Sequence, residues 1–304
     1  LNFMCGISGY FGSLKNQPSN NDIKKTLQVM KNRGKDASGL KKINISNDKI
    51  INFLHTRISV FDPVSRSNQP FQDENGILIF NGSIYNYLEL KKEMLKKKIK
   101  FKTKSDTEVL LKFLNYYGLS KIEQLDGSWS FAYFNFKTKK LYLCRDRFGE
   151  KPLYYLKDKS NIIFGSYYDY IINLYKHKKY QINFKKIEQF IINSWKSPHL
   201  NQNYESYFKN IFYVKPGTLI TINSNGKLKE SKYWKPLKIK VKKNTNYNVA
   251  KKKLKKEIID VIGTRLRSDV PVASLLSGGV DSNLITSVAS KFHKINLNCY
   301  SAEP

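Results

Sequence analysis

Apolar residues in the first half of this chain recur in short bursts separated by polar turns, with helical spacing in only a few windows. Ile7 to Phe11 predicts a strand ending at Gly12, and Ile23, Leu27 and Met30 share one side of a helix that Asp22 would cap. Ile50 to Leu54 and Ile77 to Phe80 read as further strands bounded by turn residues. Ile84 to Met94 predicts a helix with Ile84, Tyr87, Leu88 and Leu95 on one side. A second helix starts at Thr107, with Val109, Leu110, Phe113, Leu114 and Tyr117 as its face. Ser128 to Phe136 alternates through Trp129, Phe131 and Tyr133, then slips to Phe134 and Phe136. Leu141 to Cys144, Leu153 to Leu156 and Ile162 to Phe164 follow as short strands. Many short strands with helices between them make this half α+β.

Tyr167 to Tyr247 is mixed, with a helix near Phe184 to Ile192 and a linker at Lys242-Lys243-Asn244-Thr245-Asn246. The pattern then changes. Val249 to Leu266 predicts a long helix carrying Leu254, Ile258, Val261, Ile262 and Leu266. Val270 to Leu276 reads as an apolar strand, Ser282 to Phe292 as a helix, and Ile295 to Tyr300 as another strand. Strand, glycine loop, helix and strand in this order imply a parallel α/β sheet. No internal repeat appears.

Composition changes this picture little. At 304 residues the chain has room for two domains, and 40% hydrophobic with 13% aromatic content fits folded protein. No apolar run approaches the ~20 residues of a membrane helix, and no secretory leader opens the chain, which points to the cytosol. The formal charge of +30 invites a nucleic-acid reading. Yet arginine is confined to Arg33, Arg57, Arg66, Arg145, Arg147, Arg265 and Arg267, and the excess is lysine spread along the chain. Readers of bases and phosphates favour arginine forks, so nucleic acid is not an expected partner. Runs such as Lys96-Lys97-Lys98 read as solvated helix faces. Cys5, Cys144 and Cys299 are too few and scattered for a disulfide framework or zinc site. Cys144 and Cys299 lie in strand-like stretches and are expected to be buried small hydrophobes.

Two motifs carry chemistry. Cys5 stands directly behind Met4 in Met4-Cys5-Gly6-Ile7-Ser8-Gly9. If translation starts at Met4 and that residue is trimmed, the mature chain begins with cysteine. Its thiol is then a nucleophile, and its α-amine, with a pKa near ~8, a general base. Far downstream, Ser277-Gly278-Gly279-Val280-Asp281-Ser282 joins a strand to a helix. Helix N-terminal amides, the Ser277 and Ser282 hydroxyls and glycines that allow close approach suit a pyrophosphate. Asp281 is a candidate to orient the loop or help hold a metal. A bare Gly-Gly would be an ordinary turn; all six positions in this context favour a phosphate loop, though not a Walker A loop.

That loop, preceded by Arg265-Leu266-Arg267-Ser268-Asp269-Val270-Pro271, resembles the synthetase domain of glutamine-hydrolysing asparagine synthetases, members of the ATP-pyrophosphatase group. Cys5-Gly6-Ile7 resembles the start of class II glutamine amidotransferases. Arg33-Gly34-Lys35-Asp36, His55-Thr56-Arg57-Ile58-Ser59, Asn81-Gly82-Ser83-Ile84-Tyr85-Asn86, Ser105-Asp106-Thr107-Glu108 and the Arg145 to Tyr155 stretch match that family's signatures in order. The resemblance implies an N-terminal-nucleophile αββα sandwich at 5–210, a connecting segment at 211–247, and an α/β parallel-sheet ATP-pyrophosphatase domain beginning at 248 and incomplete at 304. It implies that Cys5 attacks glutamine, with Asn81 and Gly82 as oxyanion hole. Arg57, Ile58, Ser59, Val60, Phe61, Asn81, Gly82, Ser83 and Asp106 would form the glutamine pocket, Arg57 holding the α-carboxylate and Asp106 the α-ammonium. Leu276, Ser277, Gly278, Gly279, Val280, Asp281 and Ser282 would bind ATP with Mg²⁺, and a homodimer is a family expectation. Arg145, Asp146, Arg147 and Lys151 are expected to shape a loop.

Three positions depart from the family pattern: Ser83 in place of Glu or Gln, Lys35 in place of Pro, and Gly165-Ser166-Tyr167-Tyr168 where Ser-Glu is usual. The activity implied is glutamine-dependent amidation of an aspartyl-adenylate. The alternatives are a relative amidating another carboxylate, such as a sugar acid, and a truncated, inactive relic that kept the fold. Leu1-Asn2-Phe3 ahead of Met4, and an end in mid-unit, lead us to expect a fragment.

Overall fold

The computed structural model describes residues 4–193, 204–236 and 246–302. Its contacts divide the chain into two units: one runs to Lys235 except for Val60–Pro63, and the other comprises Val60–Pro63 and the rest. The expected linker at 242–246 lies outside the described residues apart from Asn246.

The first unit contains β1 (Gly6–Ser13), α1 (Asn20–Met30), β2 (Ala37–Ser46), β3 (Lys49–Arg57), β4 (Phe71–Gln72), β5 (Gly76–Ile84), α2 (Tyr87–Lys96) and α3 (Asp106–Tyr116). It continues through β6 (Gly127–Asn135), β7 (Lys140–Arg145), β8 (Tyr154–Asp158), β9 (Asn161–Gly165), α4 (Tyr168–Leu174), α5 (Phe184–Asn193), β10 (Ile211–Tyr213), β11 (Thr218–Ile222) and β12 (Leu228–Lys232). One sheet has the order β10-β8-β9-β1-β3-β2, the other β12-β11-β7-β6-β5-β4. Every strand pair in both is antiparallel. Residues 211–235 of the expected connecting segment therefore build sheet edges of this unit.

The two sheets pack face to face. Ile7, Phe11, Ile51 and Phe53 from one meet Ile77, Ile79, Phe134, Leu143 and Ile220 from the other. Each such side chain, fully buried, contributes roughly 1.5–3 kcal/mol. Tyr10, Ile50 and Leu54 point the other way, into a layer with Ile23 and Met30 of α1 and Ile171 of α4. Helices α2 and α3 pack together, and α3 lies on β5. The unit is thus an αββα sandwich. Because both faces of β3 are covered, it reads as a nearly continuous apolar run rather than an alternation.

Local chemistry adjusts several boundaries. Helix α1 is capped by Ser19, not Asp22; Asp22 is the third helical residue and closes the reciprocal capping box. Ile84 ends β5, and the helix expected from it starts at Tyr87. The Thr107 helix begins at Asp106, with the Ser105 hydroxyl accepting from the Thr107 amide.

The second unit holds α6 (Tyr247–Arg265), β13 (Ala273–Leu275), α7 (Val280–His293) and β14 (Asn298–Tyr300). Strands β13 and β14 pair in parallel, with Ser274 opposite Cys299, as the strand-loop-helix-strand order predicts. Strand β13 is shorter than Val270 to Leu276, since Pro271 has no N–H to donate to a ladder. Val60–Pro63 belongs to this unit through Asp269: its amide donates to the Val60 carbonyl, and its carboxylate accepts from the Asp62 amide at 2.7 Å.

Candidate active site

Cys5 immediately precedes β1, where Gly6 pairs with Thr56 and Ile7 with His55 of β3. Its Sγ lies 3.4 Å from the Ile58 amide nitrogen and donates to the Ile58 carbonyl at 3.6 Å. The residue after β3 is thus the thiol's cradle. The turn after α1 braces that cradle: the Asp36 amide donates to the Arg57 carbonyl, and the Asp36 carboxylate accepts from the Ser59 amide at 2.7 Å. Arg33, from the same turn, donates through Nε to the Cys5 carbonyl at 3.2 Å. Burial pushes the Cys5 thiol up; the Ile58 hydrogen bond opposes this, the Asp106 carboxylate adds to it, and the Arg57 and Arg33 charges oppose it. A thiol so placed needs a base to ionise at neutral pH.

His55 joins the two sheets beside this point. Its Nε2 lies 3.2 Å from the carbonyl of Phe80, the residue before Asn81. Burial lowers its pKa to about 3, so the ring is neutral and donates there. Asn81 is buried, and its Nδ2 amide has no hydrogen-bond partner among the described residues. A buried unsatisfied donor costs about 1–3 kcal/mol and is retained where something else is to accept from it. Gly82 follows with φ +144°, and a Cβ there would sit 2.0 Å from the Ser128 carbonyl oxygen; only glycine holds this backbone. Ser83 pairs with Ser128 and is half-buried.

Asp106 opens α3 and is buried; its Oδ2 accepts from the Ile84 amide at 3.1 Å. Burial raises its pKa to about 7 against the pull of the Ile84 and Thr107 amides, Arg57 and Ser105. Arg57 is buried and donates through Nη1 to the Val64 carbonyl and to Asn68, both at 2.9 Å. The structure therefore brings Cys5, Arg57, Ile58 and Asp106 into one electrostatic neighbourhood. Val60 and Phe61 fall in the segment grouped with the second unit.

The Arg145 to Tyr155 stretch is a folded loop. Asp146 accepts from the amides of Trp129, Phe148, Glu150 and Lys151, while Arg145 donates to the carbonyls of Gly149, Lys151 and Val214. Lys151 also reaches the N-terminal end, its Nζ 3.2 Å from the Met4 sulfur. Motif reading marked Lys151 only as a loop residue; no local signal shows that its ammonium ends there.

In the second unit, Ser277 and Ser282 hydroxyls are 3.1 Å apart, Ser282 donates to the Gly279 carbonyl, and Asn283 donates to that of Gly278. Helix α7 starts at Val280 with no side chain capping its amides. Leu276 donates its amide to the Tyr300 carbonyl, fixing where β13 ends. Gly278 has φ +79°. Asp281 lies in the first turn of α7, and no group of three or more potential metal-binding side chains occurs among the described residues. These groups fit an anion: helix amides with no side-chain cap, two hydroxyls and a glycine turn. Cys144 is buried as expected, but Cys299 is exposed, because β14 has no covering layer among the described residues. No helix among the described residues is long and apolar enough to cross a membrane.

The profile of the glutamine amidotransferase domain matches residues 4–234, and that of asparagine synthase matches residues 253–303. Asparagine synthetase [glutamine-hydrolyzing] 1 of Bacillus subtilis is 33% identical over 95% of this chain and 44% of its own length. A putative asparagine synthetase of Methanocaldococcus jannaschii is 32% identical over 95% of this chain and 57% of its own. The amidase chry2 of Gibberella zeae is 28% identical over 96% of this chain and 43% of its own. The chain spans about half the length of these curated relatives. Among solved structures, glutamine phosphoribosylpyrophosphate amidotransferase from B. subtilis matches with a TM-score of 0.53 at 14% identity, over 98% of this chain and 65% of that one, a likeness of fold.

Proposed function

This chain belongs to the glutamine amidotransferase family and continues into an asparagine synthase segment, and from that premise we propose that Cys5 hydrolyses glutamine to supply ammonia for amidation of a carboxylate. The observation that carries the reading is the Cys5 thiol, held on Ile58 among the charges of Arg57 and Asp106. Arg57 takes the substrate α-carboxylate and Asp106, ionised by the incoming α-ammonium, takes the other charge. The α-amine of a chain that begins at Cys5 accepts the thiol proton as Sγ attacks the side-chain amide carbon. Asn81 Nδ2 and the Gly82 amide receive the developing oxyanion, each worth about 3 kcal/mol when so aimed. The amine returns the proton to the leaving nitrogen, ammonia departs, and water hydrolyses the thioester to glutamate.

In the second unit, Leu276 to Ser282 would hold the phosphates of ATP, and Asp281, in the first turn of α7, would be the acidic residue available to an accompanying Mg²⁺. ATP would activate the acceptor carboxylate as an adenylate with loss of pyrophosphate, and ammonia would then displace AMP to form the amide. Aspartate is the acceptor favoured by the relatives named asparagine synthetase, and another carboxylate acceptor is the second reading. Acceptor-dependent pyrophosphate release separates these. Release with aspartate supports an asparagine synthetase. Release with another acid and silence with aspartate supports the second reading.

A further inference from the structure

Arg33 is held between the nucleophile and Tyr167. Its Nε donates to the Cys5 carbonyl at 3.2 Å, its Nη1 donates to the Tyr167 hydroxyl at 2.8 Å, and its guanidinium carbon lies 4.8 Å from the centre of the Tyr167 ring. Arg33 is buried, so neither bond is exchanged freely with solvent. Tyr167 is anchored in turn. The residue before it, Ser166, donates its amide to the Ile7 carbonyl at 2.8 Å and accepts from the Ile7 amide through Oγ at 3.1 Å. Ile7 is two residues from Cys5. The Tyr167 ring packs edge-on against Tyr170, at 5.7 Å between centroids. The segment that opens α4 is therefore braced on β1 and reaches back to the start of β1 through one guanidinium.

We propose that Tyr167 is a positioning residue for the nucleophile: its hydroxyl holds Arg33 in the one pose from which Nε fixes the Cys5 carbonyl, and hence the direction of the Cys5 side chain. The proposal rests on Cys5 being the nucleophile. Tyr167 touches neither glutamine nor the reacting atoms in this account. It acts through Arg33, and a loss of alignment of a few tenths of an ångström slows attack without weakening substrate binding.

The test uses the whole protein with its N-terminus at Cys5. Tyr167→Phe keeps the ring and removes only the acceptor, so the fold is preserved. Glutaminase kcat should fall about 10-fold while KM stays within about twofold, the signature of an interaction felt in the transition state. Arg33→Lys removes the Nε link. In that background Tyr167→Phe should cost nothing further, because the two residues act in series. An unchanged kcat for Tyr167→Phe, or the same fold loss in both backgrounds, overturns the proposal. Iodoacetamide alkylation of Cys5, resolved by peptide mass, gives a readout that needs no turnover. A Cys5 alkylation rate changed about threefold or more by Tyr167→Phe supports the positioning role, and an unchanged rate overturns it. If the unsubstituted protein hydrolyses no glutamine, the functional reading fails on its own and the alkylation result still judges Tyr167.

Discussion

The cysteine site of the first unit and the serine–glycine loop of the second are built by opposite means. Arg57, Asn81 and Asp106 are all buried, and the site joins separate stretches of chain: the Cys5 thiol rests on Ile58, Asn81 pairs with Ser130, and Asp106 accepts from the Ile84 amide. At the two ends of the loop, Leu275 and Val280 are 84% and 83% exposed, and the hydrogen bonds among Ser277, Gly278, Gly279, Ser282 and Asn283 join residues within about five positions of each other. A site assembled from distant strands stores its geometry in the core, and any change to it is felt as strain or lost alignment. A site made by one turn and one helix end takes its geometry from local backbone, and tolerates change at lower cost.

The largest contrast is between two cysteines. Cys5→Ala should remove glutaminase activity by about 10⁴-fold or more, as loss of a covalent nucleophile does. Cys299→Ala, in the exposed strand, should leave it within twofold; ammonia-release kinetics on both variants check this. Equal losses would erase the difference between the regions.

The next contrast is the same substitution at two glycines. Gly82→Ala drives a Cβ onto a backbone oxygen at φ +144°, and should cost about 3 kcal/mol or more of stability. Gly278→Ala meets nothing within 4 Å and carries only the strain of φ +79°, about 1 kcal/mol. Chemical denaturation of the two variants measures the gap.

The smallest effect is pH-dependent and belongs to the buried site alone. Asp106 titrates at about 7 when folded, against an ordinary value near 3.8. Ammonium capture needs the carboxylate, so kcat/KM for glutamine should fall below pH 7, approaching tenfold per pH unit. Asp106→Asn should flatten that limb at a low level. Between those two values the unfolded chain has lost a proton that the folded one keeps, so this group's contribution to stability declines as pH rises through the window. Asp106→Asn should therefore raise Tm at pH 8 relative to its effect at pH 4, by roughly 2–4 °C per kcal/mol relieved.

The candidate site residues could be named from sequence because they come as short ordered motifs, and most strands were legible because buried runs are apolar. What was not legible depends on distant partners. Strand β11, the five residues that directly follow Pro216-Gly217, is a strand because it pairs with β7 more than seventy positions earlier. Strand β2 alternates weakly and takes its identity from β3. Ser166 and Tyr167 stood out as departures from a family pattern, yet nothing local tells that Tyr167 meets Arg33, 134 residues away. The burial expected of Cys299 failed because an apolar strand is buried only when another layer covers it.

In the proposed mechanism a freed cysteine amine serves its own thiol. In the chain beginning at Leu1 that nitrogen is an amide bonded to Met4 and cannot accept a proton. Glutamine hydrolysis measured side by side on protein beginning at Leu1 and protein beginning at Cys5 tests this directly. Turnover is expected from the second and a rate at least about 100-fold lower from the first. Equal rates from both would contradict it.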